Sequence, residues 1–333
     1  MSSKHSLFDL MIHSYYLTLK RFIEASGFKI ARSSIRDALK KTDGIFDYSK
    51  LPDLLNSFFS DLLIFQIDSE IDNHEDIITP CLLVRTTENQ TFIYAVLKID
   101  KEKILIFEHD KKDYTISADE FQNLLKGAII ILKEEATYNP SKKLLEEYKK
   151  EQEKDKKYLK SIKIIDDFIS EKDCKQIIDF YEENKSFQRS RVAGGSGTKV
   201  SDHRTSSSAM IETQQTIPIV SALKEKIAVL LGCNIDKIES LQCVRYYKFE
   251  EFKPHFDALV IKRKLTCLLY LNEGFLGGET YFSEVNFSVT PKVGRLLIFQ
   301  NLNEDNSVIP QSYHQGSPIL NGEKYACNIW IKN

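Results

Sequence analysis

Two histidines and an aspartate are the residues whose types and spacing can do chemistry together. His255 and Asp257 stand two apart in KPHFDA, and His314 follows 57 residues later in QSYHQG. Residues i and i+2 of a strand project to one face, so a short extended segment can offer an imidazole and a carboxylate side by side. A distant strand can bring the second imidazole across the sheet. Two histidines and one carboxylate on one face of a metal, with the other positions open, suit Fe(II) oxygen chemistry. The open positions are needed because a chelating cosubstrate and O2 must bind beside one another. The H-x-D spacing alone also occurs as a surface polar pair, so the context has to carry the assignment. Lys324 lies ten residues beyond His314, after a glycine-containing turn. A cation there can hold a carboxylate inside a barrel; an ordinary surface lysine is the alternative.

The elements that must position these side chains follow from the surrounding pattern. After Leu241 nearly every segment reads as strand: LQCVRYYKF, LTCLLYLN, GETYF, FSVTP, RLLIFQN, SYHQGSPI and YACNIWI. Many short strands separated by Gly, Pro and Asn turns predict an antiparallel sandwich or jelly roll. Upstream, helices are expected from Ser170 to Asn184 and from Pro218 to Leu231, with a polar, glycine-rich loop, AGGSGTKVSDHRTSSS, between them.

Together these pieces resemble the prolyl 4-hydroxylase family of Fe(II) and 2-oxoglutarate dependent dioxygenases. The resemblance rests on RYYKFEEFKPHFDA, LTCLLYLNEGFLGGETYF, VTPKVGRLLIFQN and YHQGSPILNGEKYACNIWI, in the family's order. The upstream helix IIDDFISEKDCKQIIDFYEEN and the loop DHRTSSSAMI add to it. It implies a double-stranded β-helix (jelly roll) for residues 163–333, with His255, Asp257 and His314 as iron ligands. Lys324 would pair with the distal carboxylate of 2-oxoglutarate. Tyr246, nine residues before His255, would hydrogen-bond the cosubstrate, with core packing as the alternative, and Thr266 would face the cosubstrate pocket. Gly277 and Gly278 match the family's GGET turn, where positive φ and close strand approach are the expected reason for glycine. The resemblance also implies that Trp330 lines the metal pocket, core packing again being the alternative, and that Arg204 contacts a substrate peptide. Phe249 stands where many members carry a loop glycine, so a small local change of conformation is expected there. The implied reaction is oxidative decarboxylation of 2-oxoglutarate to succinate and CO2, coupled to hydroxylation. It uses Fe(II) and O2, with ascorbate as reductant. The presence of Asp257 favours hydroxylation over halogenation, which needs that coordination position for halide.

Residues 1–135 have a different texture. Helices are expected at Leu7–Ala25, Ser33–Lys41 and Tyr48–Phe59, and strands at Cys81–Arg85, Thr91–Ile99 and Lys103–His109. Ser117 should cap a helix through Leu125, and Ala128–Leu132 should be a buried strand, giving an α+β domain. The landmarks ARSSIRDALKKTDGIFDYSKLPDLL, TPCLLV, TFIYAVLKID, KILIFEHD and ISADEFQNLLKGAIIIL resemble the papain-like C39 peptidase domains that precede some peptide exporters. The opening helix lacks the attacking cysteine, and Thr91 and Phe92 replace the histidine that opens the matching strand. Glu108, His109 and Asp110 surround the aspartate position, and Cys81 belongs to a different, buried strand. A thiol nucleophile needs its base within hydrogen-bond reach. This half is therefore expected to recognise a peptide rather than cleave one, the alternative being a stabilising or dimerising appendage. Residues 136–162, dominated by Lys and Glu, read as a solvated helical linker and domain boundary.

With 333 residues and 42% hydrophobic content the chain can bury two cores. A net charge of −2 points to no nucleic acid and no anionic membrane, and no apolar run reaches the ~20 residues that span a bilayer. Six scattered cysteines without a CxxC pair, and a start without an export signal, lead to the expectation of reduced thiols in a cytoplasmic protein. The reading is a hydroxylase of a peptidyl residue, proline first, with the substrate peptide held by the N-terminal domain. A free amino acid or other small molecule is the alternative substrate, and a non-catalytic peptide-binding protein is the alternative class.

Overall fold

The structure, a computed structural model, describes residues 15–40, 51–56, 58, 62–66, 74–86, 91–108, 113–126, 128–133, 142–183, 187–194, 197–210, 218–258 and 261–333. The chain divides into two compact units, Met1–Lys154 and Asp155–Asn333.

In the first unit residues 15–25, Arg32–Lys40 and Leu51–Asn56 are helical. Of the three expected helices Phe58 is in a turn, and the remainder, like His109 at the end of its expected strand, lies outside the described residues. Six antiparallel strands follow in the spatial order Leu62–Gln66, Ala128–Lys133, Cys81–Thr86, Thr91–Ile99, Lys103–Glu108 and Tyr114–Ser117. Period-two alternation sends Leu82, Val84, Ile93 and Ala95 to one face, against Tyr16, Phe22, Ile35 and Leu51 of the helices. Cys81, Leu83, Tyr94 and Val96 face the other way, under Phe121 and Leu125 of the helix Ala118–Leu125. Ser117 caps that helix in a reciprocal box, accepting from the Glu120 amide at 3.3 Å while Glu120 accepts from the Ser117 amide at 2.9 Å. The strand Leu62–Gln66 was not among the expected elements; its LLIFQ run is short and shows no alternation, so periodicity alone does not mark it.

The charged stretch expected as a solvated helical linker is a helix, Lys142–Ser161, mostly exposed or half-buried, with Tyr158 the one buried side chain among its described residues. Within the first unit Glu151 pairs with Arg32 at 3.0 Å, both side chains largely buried, and Ser34 donates to Glu147 at 2.9 Å. Within the second unit Tyr158 is buried in the core.

The second unit is a jelly roll. A seven-stranded antiparallel sheet runs in the order Lys163–Ile165, Leu296–Gln300, Arg263–Tyr270, Lys324–Lys332, Gln242–Tyr246, Ser207–Met210 and Gln188–Arg189. Opposite it lies a four-stranded sheet, Phe252–His255, His314–Gly316, Thr280–Phe282 and Phe287–Val289. Along the large sheet the side chains divide cleanly. Cys243, Cys267, Cys327 and Ile329 point outward under the helices Glu171–Glu183 and Pro218–Leu231. Val244, Tyr246, Leu297, Phe299 and Ala326 point inward with Phe282 and Val289 of the small sheet. All six cysteines are free thiols, five of them buried. No described helix is long and apolar enough to cross a membrane.

The sequence read as one glycine-rich loop folds partly as a hairpin, Arg191–Gly194 against Gly197–Val200, and leads into the strand Ser207–Met210. Counting glycines marked the turn and hid the strands on either side of it. The GGET turn does demand its glycines. Gly277 has φ +79°, and a Cβ there would stand 2.2 Å from the Pro318 carbonyl. Gly277→Ala is expected to cost about 2–3 kcal/mol, a fall of roughly 4–12 °C in Tm read by thermal denaturation. An unchanged Tm would mean that this approach is not rigid.

Candidate active site

His255 closes the strand Phe252–His255, and its register partner across the small sheet is His314, the first residue of His314–Gly316. Asp257 does not continue the strand as the i, i+2 reading expected. It sits in the turn that follows, and the turn swings the carboxylate back over the two imidazoles. The three ligand atoms lie within 4.8 Å of one another: His255 Nε2 is 3.6 Å from Asp257 Oδ1, and His314 Nε2 is 3.9 Å from Asp257 Oδ2.

Hydrogen bonds fix the imidazole tautomers. His255 Nδ1 is 2.8 Å from the Lys253 carbonyl, and His314 Nδ1 is 2.8 Å from the Ser312 carbonyl. A carbonyl only accepts, so both Nδ1 atoms carry the proton and both Nε2 lone pairs face the carboxylate. Rings hold the planes: Phe252 stacks on His255 at 3.5 Å and 14°, while Phe299 meets His314 edge-on at 4.8 Å. Burial, with the neighbouring His314, pushes His255 down to about 4, so it is neutral at neutral pH. Burial raises the Asp257 carboxyl, but the two histidines beside it and the Thr266 hydroxyl together hold it well below the usual range. Two imidazoles and an ionised carboxylate, converging in a largely buried site, are a donor set that fits Fe(II).

The cavity beside this triad is lined from the large sheet by Tyr246, Thr266, Leu268, Lys324, Asn328 and Trp330. Lys324 is 3% exposed and donates to the Gly278 carbonyl at 2.6 Å. Burial lowers its pKa from 10.5 to about 8, only partly offset by Glu279. An ammonium desolvated at the end of a polar cavity is suited to a carboxylate ligand. Tyr246 is the cross-strand partner of Lys324, with its ring 5.4 Å from Nζ. Thr266 is also in the cavity wall, but its hydroxyl donates to Asp257 Oδ2 at 2.6 Å.

Trp330 lines the cavity with its buried Nε1 unpartnered, and the Arg263 guanidinium lies 3.5 Å over its ring. Arg204 is not among the residues lining the cavity. It is 4% exposed, donates to Ser206 Oγ and Gln242 Oε1, and stacks 4.7 Å over Phe252, the ring that in turn stacks on His255. Phe249 adopts φ +69°, the backbone region that glycine prefers, with its side chain exposed.

Four participants escaped sequence reasoning. Phe252 stands three residues before His255; Thr280 lines the cavity and bonds the Tyr270 hydroxyl at 2.7 Å; Arg263 is held bidentately by Glu239; and Asn301 donates to the Thr266 hydroxyl at 2.8 Å. Thr280 belongs to the GGET segment, and its place directly after the two glycines and Glu279 is the sequence signal for it.

Residues 241–332 match the 2OG-Fe(II) oxygenase superfamily. Prolyl 4-hydroxylase 2 of Arabidopsis thaliana is 31% identical over 199 residues, covering 50% of this chain and 66% of that protein. A putative prolyl 4-hydroxylase of Acanthamoeba polyphaga mimivirus is 30% identical over 183 residues, covering 51% of this chain and 73% of that protein. The chain thus spans about two thirds of the length of these relatives. Among solved structures, the 2OG complex of the viral collagen prolyl hydroxylase from Paramecium Bursaria Chlorella virus-1 is similar with 23% identity and a TM-score of 0.42, over 51% of this chain and 95% of that one. The site is that of a 2-oxoglutarate-dependent dioxygenase using Fe(II) and O2. Through its C-terminal half the chain belongs to the prolyl 4-hydroxylase family of 2OG-Fe(II) oxygenases.

Proposed function

We propose that the protein hydroxylates a proline within a peptide, and that its first unit holds a flanking part of the same peptide. The observation that carries the reading is the complete set of His255, Asp257, His314 and Lys324, the last two buried, in a chain whose relatives are named prolyl 4-hydroxylases. A non-catalytic descendant has no need to keep a desolvated ammonium beside a metal triad. His255, Asp257 and His314 would hold Fe(II), which with 2-oxoglutarate and O2 supplies the oxidising power when bound. The chain's own part is orientation: Lys324 and Tyr246 fix the cosubstrate, Phe252 and Phe299 fix the imidazole planes, and the apolar interior excludes water.

For the first unit we propose a degenerate papain-like, C39-like fold that has kept a peptide-holding role. No cysteine precedes Cys81 in the chain, and Cys81 itself is 1% exposed, with burial raising its thiol to about 12. A thiol so placed is no nucleophile at neutral pH. Free thiols throughout fit a reducing, cytoplasmic setting. Holding a flanking segment would raise the effective concentration of a weakly bound target. Mass spectrometry of a candidate peptide after turnover should place one added oxygen on a proline. Trimming that peptide's flanks, with the full-length enzyme, should raise KM about 10²-fold or more while kcat stays near its original value. Oxygen added to a residue other than proline would refute the substrate class, and a KM indifferent to the flanks would refute the holding role.

A further inference from the structure

Behind the metal triad two side chains form a chain of hydrogen bonds that ends on the ligand carboxylate. Asn301, fully buried just past the strand Leu296–Gln300, places its Nδ2 2.8 Å from Thr266 Oγ1. Thr266, 2% exposed, places that same Oγ1 2.6 Å from Asp257 Oδ2. The protons allow one direction only. An ionised carboxylate accepts and never donates, so the Thr266 proton is committed to Asp257. The Thr266 oxygen is then an acceptor, and it takes a proton from the Asn301 amide.

The amide orientation follows from the same count. Were Asn301 turned over, its carbonyl would face an oxygen whose only proton is already used. As it stands, Asn301 Oδ1 is buried with no hydrogen-bond partner. Leaving a buried carbonyl unpaired is unfavourable, and such a residue calls for an explanation beyond packing. Its backbone is anchored on both sides, the amide donating to the Lys264 carbonyl and the carbonyl accepting from the Ile309 amide, each at 2.9 Å. The side chain is therefore delivered to Thr266 by a rigid frame.

We propose that Asn301 and Thr266 are positioning residues that set how Asp257 binds the metal. By occupying Oδ2 they leave Oδ1, which lies beside His255 Nε2, as the single oxygen for the metal. A carboxylate that gives one oxygen keeps an octahedral ion half open, enough for a chelating 2-oxoglutarate and O2 together; a carboxylate that gives both oxygens takes one of those positions. The inference rests on the metal site alone, not on the peptide reading, so either can fail without the other.

The test uses the full-length protein without oxygen. The chain has a single tryptophan, Trp330, and it lines the metal cavity, so quenching of its fluorescence reports Fe(II) binding. Thr266→Val keeps the shape and removes the donor; it should weaken Fe(II) binding roughly 10- to 100-fold, the range typical of outer-shell partners of a metal ligand. Thr266→Ser should recover most of the affinity. Asn301→Leu should weaken binding by a smaller factor, and the double variant Asn301→Leu/Thr266→Val should bind no worse than Thr266→Val alone, because the two act in series. In the Co(II)-loaded protein, Thr266→Val should change the d–d spectrum from that of the parent, as the freed second oxygen takes a coordination position otherwise left to water. Should Thr266→Val fail to fold, Thr266→Ala against Thr266→Ser makes the same comparison. Parent-like Fe(II) affinity and Co(II) spectrum in the donor-less variant, or additive losses in the double variant, would overturn the proposal.

Discussion

Lys324→Met raises the KM for 2-oxoglutarate by roughly 30- to 3,000-fold while Fe(II) binding stays near its parent value. The size follows from the ~2–5 kcal/mol lost when one partner of a buried charge pair is truncated, at about 1.4 kcal/mol per decade. Lys324 suits that estimate because it is 3% exposed, and the Gly278 carbonyl that accepts its proton is neutral. The pH dependence has a definite sign. Burial lowers the ammonium to about 8, and only the charged form attracts a carboxylate. Below that pH the KM should be flat; above it the amine is neutral and KM should climb about tenfold per unit. Bound 2-oxoglutarate raises the lysine again, so binding above pH 8 takes up a proton. Lys324→Arg should remove the rise, since a guanidinium stays charged there, though its size weakens binding at every pH. Steady-state kinetics across pH 6.5–9.5 would check this. A KM that falls with rising pH, or one that barely moves in Lys324→Met, would remove Lys324 from the cosubstrate site.

The second large effect concerns the triad. His255→Ala and Asp257→Ala should each weaken Fe(II) binding by more than the roughly 10- to 100-fold expected of outer-shell residues, and should abolish iron-dependent turnover. The fold should survive. Asp257→Ala also removes the acceptor of the Thr266 hydroxyl, so the metal-free protein should melt somewhat lower than the parent, still in one cooperative transition. What should vanish is the upward shift of Tm that Fe(II) gives the parent, because a ligand stabilises only the state that binds it. A Tm shift retained in either variant would overturn the ligand assignment.

Much of this site was legible before any coordinates, and the reason is local. His255 and Asp257 are near neighbours in sequence, Lys324 and Trp330 share one strand, and the strand-rich stretch after Leu241 announces a sandwich. Even there the backbone differed from the simple reading, because Asp257 reaches the metal from a turn and not from the strand. Apart from Phe252, the residues that were missed act across strands that are far apart in sequence. Asn301 meets Thr266 because Arg263–Tyr270 pairs with Leu296–Gln300, with Thr266 opposite Phe299. Arg263 meets Glu239 from a separate segment, and Thr280 joins the cavity from the small sheet. Such meetings are set by register, which a single sequence does not display. Arg204, which the family resemblance placed at a substrate peptide, has its side chain folded inward over Phe252, a position that the loop's sequence does not display. In the first unit, Leu62–Gln66 needed its partner Ala128–Lys133 before it could be recognised as a strand.

The most direct test of the whole account is succinate release from 2-oxoglutarate by the purified protein with Fe(II), O2 and ascorbate, with and without a proline-containing peptide. The account predicts iron-dependent succinate that rises with the peptide and matches, mole for mole, the oxygen gained by it. Absence of turnover while Fe(II) is demonstrably bound would contradict it.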